Sequence, residues 1–241
     1  MLHKTSGIIL HTTKYSESQL IAKIYTQQFG LQSYIISGVH SKKSKTKATL
    51  FQPLSIVDLE VTHSAKGGLE RISEINNAHP YASIPYNINK SSIVLFLNEI
   101  LYKSINEAHP DDDLFEFVKN SLLILDVKTE SCSNFHVFFM LQLSRFLGFY
   151  PQGNFSSQNS YFDLKEGSFI ATIPIHPHYI DNHQSELLNS FINDAYSTIH
   201  LIRLDNTQRK HLLQSLILYY QFHISSFKEI KSLSVLEEVI A

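Results

Sequence analysis

The sequence predicts an α+β chain of two domains: a small five-stranded β-barrel, followed by a mainly α-helical domain. Two observations carry this. Between residues 6 and 75, apolar side chains recur with period two in five short runs separated by turn residues, the pattern of half-buried strands. After a proline-containing stretch at 78–90, the apolar period changes to i, i+3, i+4, i+7, the stripe of a helix packed on one side. The boundary is placed between residues 1–79 and 80–241, with 78–90 as an extended linker.

The elements follow in order. Residues 6–13 are rich in β-branched side chains and read as the first strand. Residues 15–18 turn the chain. A second strand covers 20–27, and Gly30 ends the connection to a third at 31–37. The fourth is expected over 50–61, where Val57, Leu59 and Val61 alternate with Asp58, Glu60 and Thr62, and Pro53 marks a bulge or edge. The fifth covers 69–75. Five short strands without a helix-length pattern between them suit a closed barrel, which leaves few open edges. OB-type and SH3-like barrels fit this periodicity almost equally.

In the second half, Ile93, Phe96, Leu97 and Ile100 define one helix face. Asp111, Asp112 and Asp113 supply N-caps for a helix carrying Leu114, Phe117 and Val118. Phe135, Phe138, Phe139, Leu143, Phe146 and Leu147 form a third helix, stopped by Gly148 and Pro151. Residues 161–171 read as a hairpin turning at Glu166 and Gly167. Leu187, Leu188, Phe191 and Ile192 mark a fourth helix. Leu212, Leu213, Leu216, Ile217 and Tyr220 mark a long last one.

Hydrophobic residues make up 43% of the chain, including 16 Phe and 12 Tyr, enough for a packed core. The only cysteine, Cys132, excludes an intrachain disulfide and suits a reducing compartment. Neither a signal-peptide pattern nor an 18-residue apolar run is seen, so a cytoplasmic location is expected. Walker-type, G-x-G-x-x-G and G-x-S-x-G patterns are missing, and no enzyme is indicated. His176, His178 and His183 have a spacing that zinc could use, so a metal-dependent hydrolase is one alternative function. Pro177 between two of the ligands and the scarcity of a fourth donor count against it.

Charge is the more informative signal. The formal net charge is −2, but residues 1–79 carry eight Lys and one Arg against five acids, a local +4. No acid occurs between Glu17 and Asp58. That window holds Lys23 and a lysine-rich loop at 38–47 with Lys42, Lys43, Lys45 and Lys47. Clustered ammonium groups displace the counterions of a phosphate backbone. These four lysines, with Lys23 and Arg71, are the candidate DNA contacts. Tyr15, Tyr25 and Tyr34 are candidate stacking residues, each equally at home in barrel packing. An RNA-binding OB protein is a second alternative. A groove between helices 93–102 and 135–147 is a candidate partner site, with Phe96, Ile100 and Phe139 apolar and Lys103 and Arg145 on the rim. The competing possibility is that the core consumes both faces.

The ordered set of Leu10, Tyr15–Ser18, Gly30, the 38–47 loop and Leu50–Pro53 resembles the RecO family of bacterial recombination mediators. So do Leu97–Leu101, Leu147–Pro151 and Lys231–Leu236, which spreads the resemblance over nearly the whole chain. It implies an N-terminal OB-fold and a C-terminal helical domain. It also implies binding and annealing of single-stranded DNA, with duplex DNA as a further ligand, and a nucleoid-associated location. The partners it implies are RecR, the tail of the single-strand-binding protein and, indirectly, RecA. Many members carry a four-cysteine zinc site after the Gly-aromatic-x-Pro segment. Residues 152–160 hold no cysteine, so the expectation here is a chain without a cofactor.

Overall fold

The computed structural model describes residues 2–17, 19–37, 48–63, 68–105 and 109–240. It divides into two compact units, one of residues 1–86 and 97–126, the other of residues 87–96 and 127–241.

The first unit is built on strands β1 (Leu2–Lys14), β2 (Gln19–Thr26), β3 (Gly30–Ser37), β4 (Ile56–Thr62) and β5 (Leu69–Asn77). They close in the order β1-β2-β3-β5-β4, with β1 antiparallel to β4 and a short parallel junction between β3 and β5. That Greek-key order is the OB-fold, which decides between the two barrel types the periodicity allowed. Inside lie Ile9, Ala22, Ile24, Tyr34, Ile36, Val57, Leu59, Val61 and Ile75. Gly7 is required by close approach: a Cβ there would sit 2.6 Å from Ile24 Cγ2 and 3.0 Å from Leu59 Cδ1.

The fourth strand is shorter than expected. Ala48–Phe51 is a 3-10 turn, and residues 52–55 form a bend in which Leu54 has φ 58°. Phe51 packs into the barrel core, so this apolar run covers the interior rather than extending the sheet. Leu54 N–H donates to the Ile9 carbonyl at 2.8 Å and Ile9 N–H to that of Ser55 at 3.1 Å, which ties the bend to β1.

Helix α1 (Ile88–Ser104) begins within the expected linker, and α2 (Asp112–Val127) follows. Asp111 caps α2, its Oδ1 accepting from Leu114 N–H at 2.9 Å. Phe115 rather than Phe117 is fully buried on α2 and lies 6.0 Å from Tyr25, ring centre to ring centre. Residues 82–84 are tied down by Asp126, whose carboxylate accepts from three successive backbone N–H groups.

The second unit contains α3 (Phe135–Phe146), α4 (Asn182–Ile192), α5 (Asn206–His223) and α6 (Leu233–Val239), with a three-stranded sheet in the order β7 (Ser168–Ile170), β6 (Tyr161–Asp163), β8 (Tyr179–Ile180). The hairpin is as expected, while β8 and α6 add elements that the periodicity did not mark. Cys132 precedes α3. Almost all of α3 is buried, including His136, whose imidazole is pushed down to about 3 by burial and by the nearby Arg209 charge. Asn134 joins α3 to the 199–202 turn by donating to Ile199 O and Ile202 O. Among the described residues, no helix is long and apolar enough to cross a membrane.

Candidate nucleic-acid interface

Side chains alternate across a strand, so the pairing register decides which residues share the outer face of the barrel. His11 pairs with Lys23, Lys23 with Ser33, and Ser33 with Leu69. Next to that row, Thr13 pairs with Ile21, Ile21 with Ile35, and Ile35 with Arg71. These two rows cross β1, β2, β3 and β5 on the side opposite Tyr34 and Ile36, which point inward. None of the eight residues is acidic, and each is exposed or half-buried. Lys23 and Arg71 therefore share one face, with the aliphatic surface of Ile21, Ile35 and Leu69 between and beside them.

Lys23 carries its ammonium 5.2 Å over the ring of Tyr102, from the second half of α1. His11 stacks on the same ring at 4.8 Å and 24°. Burial, then the Lys23 charge, lower the pKa of His11 and favour the neutral imidazole near pH 7.

Beyond Arg71, which pairs with Thr62, the adjoining outward rows have the opposite sign. Lys4, Glu60 and Glu74 form one outward row, and Ser6, Asp58 and Asn76 the next. Lys4 neutralises Glu60 at 3.0 Å, and Ser6 donates to Asp58 at 2.8 Å. With Asp112 these residues line an open polar groove of about 710 Å³. The carboxylates thus cluster in these rows, and Lys23 and Arg71 in the two rows before them.

Lys42, Lys43, Lys45 and Lys47 lie outside the described residues. β3 ends at Ser37, before the stretch that holds them. Of the three tyrosines, Tyr25 and Tyr34 are core residues, and only Tyr15, at the β1–β2 turn, is exposed. Sequence reasoning passed over His11 and Tyr102, because neither stands out until strand register and helix packing bring them together.

Phe96, Ile100 and Phe139 are fully buried. Lys103 pairs with Glu99 at 2.7 Å, and Arg145 lies 4.5 Å over the Tyr150 ring. His176, His178 and His183 do not converge. His176 pairs with Asp163 at 3.2 Å, His178 sits 4.9 Å from the Phe222 ring, and His183 meets the Gln208 amide at 2.9 Å. Among the described residues no three His, Cys, Asp or Glu side chains are grouped to hold a metal ion. Residues 152–160 hold no cysteine. That loop is held by hydrogen bonds, among them Gln152 N–H to Gly167 O at 2.8 Å and Phe155 N–H to Asn189 Oδ1 at 3.1 Å.

Comparison with known proteins gives two family matches. Residues 1–81 match the model described as Recombination protein O N terminal, and residues 85–233 match Recombination protein O C terminal. The chain is 35% identical to a DNA repair protein RecO of Phocaeicola vulgatus over 241 residues, covering 100% of both chains. It is 38% identical to the proteins of that name from Bacteroides fragilis and Flavobacterium psychrophilum, over 240 residues and 99% of each chain.

Proposed function

The chain belongs to the RecO family of DNA repair proteins, and on that premise we propose that it binds and anneals single-stranded DNA through the β1-β2-β3-β5 face of its barrel. Membership places it in DNA repair and recombination, in a family of mediators rather than enzymes. The observation that carries the finer reading is the acid-free pair of rows presenting Lys23 and Arg71 together. The loop lysines Lys42, Lys43, Lys45 and Lys47 extend the same positive field in sequence.

Annealing on such a surface needs no nucleotide cofactor. Pairing supplies the free energy, and the barrier is the repulsion of two anionic strands together with removal of bound protein. A positive face lowers the first by screening and by raising local strand concentration. RecR and the tail of the single-strand-binding protein are the proposed partners for the second, and loading of RecA is the proposed outcome. The test follows fluorescence as two labelled complementary oligonucleotides pair while coated with single-strand-binding protein, with and without ATP and magnesium. Acceleration independent of ATP, fading above about 0.2 M salt where phosphate contacts weaken steeply, is expected. A strict ATP requirement, or full activity after charge reversal of Lys23, Arg71 and the four loop lysines, overturns the reading.

A further inference from the structure

We infer that the His11–Tyr102 stack is a platform for one unpaired base of a single-stranded nucleic acid, with Lys23 placed for the adjoining phosphate. This rests on the DNA-binding reading of the same face and deepens it.

The register of β1 against β2 breaks between Ile9 and His11, leaving Leu10 unpaired. A bulge of this kind bends its strand and re-aims the side chains beside it. Here it brings His11 against Tyr102 while Leu10 stays buried. His11 is outside the barrel core: it is exposed, and its Nε2 meets the Thr13 hydroxyl at 3.1 Å. The result is an aromatic pair at the solvent edge, next to a lysine, in a row of the barrel that holds no carboxylate. A base can extend that stack whatever its identity, because every base has a π-face. Bases inside a duplex are stacked on one another and do not offer that face, so the platform selects single strands. Its neutral imidazole favours stacking and leaves charge neutralisation to Lys23. The alternative is that the stack merely helps to seat α1 on the barrel.

The test measures anisotropy of labelled single strands on the full chain, comparing a base-bearing strand with an abasic strand of equal length. Wild type should prefer the base-bearing strand. His11→Ala should lose about tenfold on it, within the range for one lost base–aromatic stack, and lose little on the abasic strand. His11→Phe should restore the preference, since it keeps the ring and discards the nitrogens. A 2-aminopurine in the strand should be quenched by wild type and by His11→Phe and stay bright with His11→Ala. The inference is overturned if His11→Ala binds both strands as wild type does, or weakens both equally. If wild type binds neither strand, the underlying DNA-binding reading fails with it.

Discussion

Asp126→Ala tests how the stretch before α1 is held. The Asp126 Oδ1 accepts from Ser83 N–H at 2.8 Å and Ile84 N–H at 2.9 Å, and Oδ2 accepts from Ala82 N–H at 2.8 Å. The Ser83 hydroxyl adds a contact to the Asp126 carbonyl. Burial alone raises the pKa of this carboxyl, but the N–H groups of Ala82, Ile84 and Ser83 outweigh it and hold it below the usual carboxylate range. Each charged hydrogen bond contributes about 1.5–3 kcal/mol net, so three set an upper limit of roughly 5–9 kcal/mol. Water reaching the freed N–H groups returns part of that. We expect a loss of about 3–4 kcal/mol, or about 10 °C in Tm for a chain of this size. Asp126→Asn should lose about half as much, because its NH₂ meets the Ala82 N–H where an acceptor stood. Since the folded pKa lies below the unfolded one, the contribution is present above about pH 4 and lost as pH falls through the folded value. Urea denaturation at pH 7 and pH 3 measures both effects, with Glu116→Ala, a surface i,i+3 partner of Lys119, as the control. A loss below about 1 kcal/mol, or one no larger than the control's, refutes the clamp.

Three further predictions follow from charge, burial and composition. Lys23→Glu combined with Arg71→Glu should weaken binding to all single-strand sequences alike and flatten the slope of log K against log salt by about 1.4, whereas Asp58→Asn, two outward rows beyond Arg71, should leave the slope unchanged; titrations at several salt concentrations measure this. His136 is neutral in the fold at a pH where the unfolded chain is protonated, so its contribution is complete above about pH 6.5 and is lost as pH falls toward about 3; the gap corresponds to about 5 kcal/mol, and His136→Phe should flatten the fall in stability seen by denaturation between pH 6.5 and 4. The melting temperature should not respond to EDTA, and elemental analysis should find far less than one zinc per chain, because a zinc-dependent fold unfolds with chelator.

Much of the fold is encoded locally and was legible. Val57, Leu59 and Val61 alternate into the barrel, Asp111 caps α2, and Gly148, at φ 83°, ends α3 where the apolar stripe stops. Each depends on neighbours a few residues away, which is the range over which backbone geometry and side-chain period operate. The misreadings were of another kind. Phe51 and Leu54 are both buried, Phe51 in the barrel core, and period alone cannot tell such a covering bend from a strand. α6 is a seven-residue helix whose docking depends on partners in α5, such as Lys210 with Glu237 at 2.8 Å. Asp126 reads as an ordinary acid until the chain returns 42 residues of sequence to the Ile84 N–H it accepts.

By itself, the sequence determined the strands, most of the helices, the positive N-terminal charge and the lysine loop. Tertiary structure alone decided that Lys23 and Arg71 lie in neighbouring outward rows, that Asp58, Glu60 and Glu74 fall in separate rows beyond them, and that His11 meets Tyr102. The physical reason is register: a one-residue slip in any strand turns its side chains to the opposite side of the sheet, and register is set by barrel closure and core packing together.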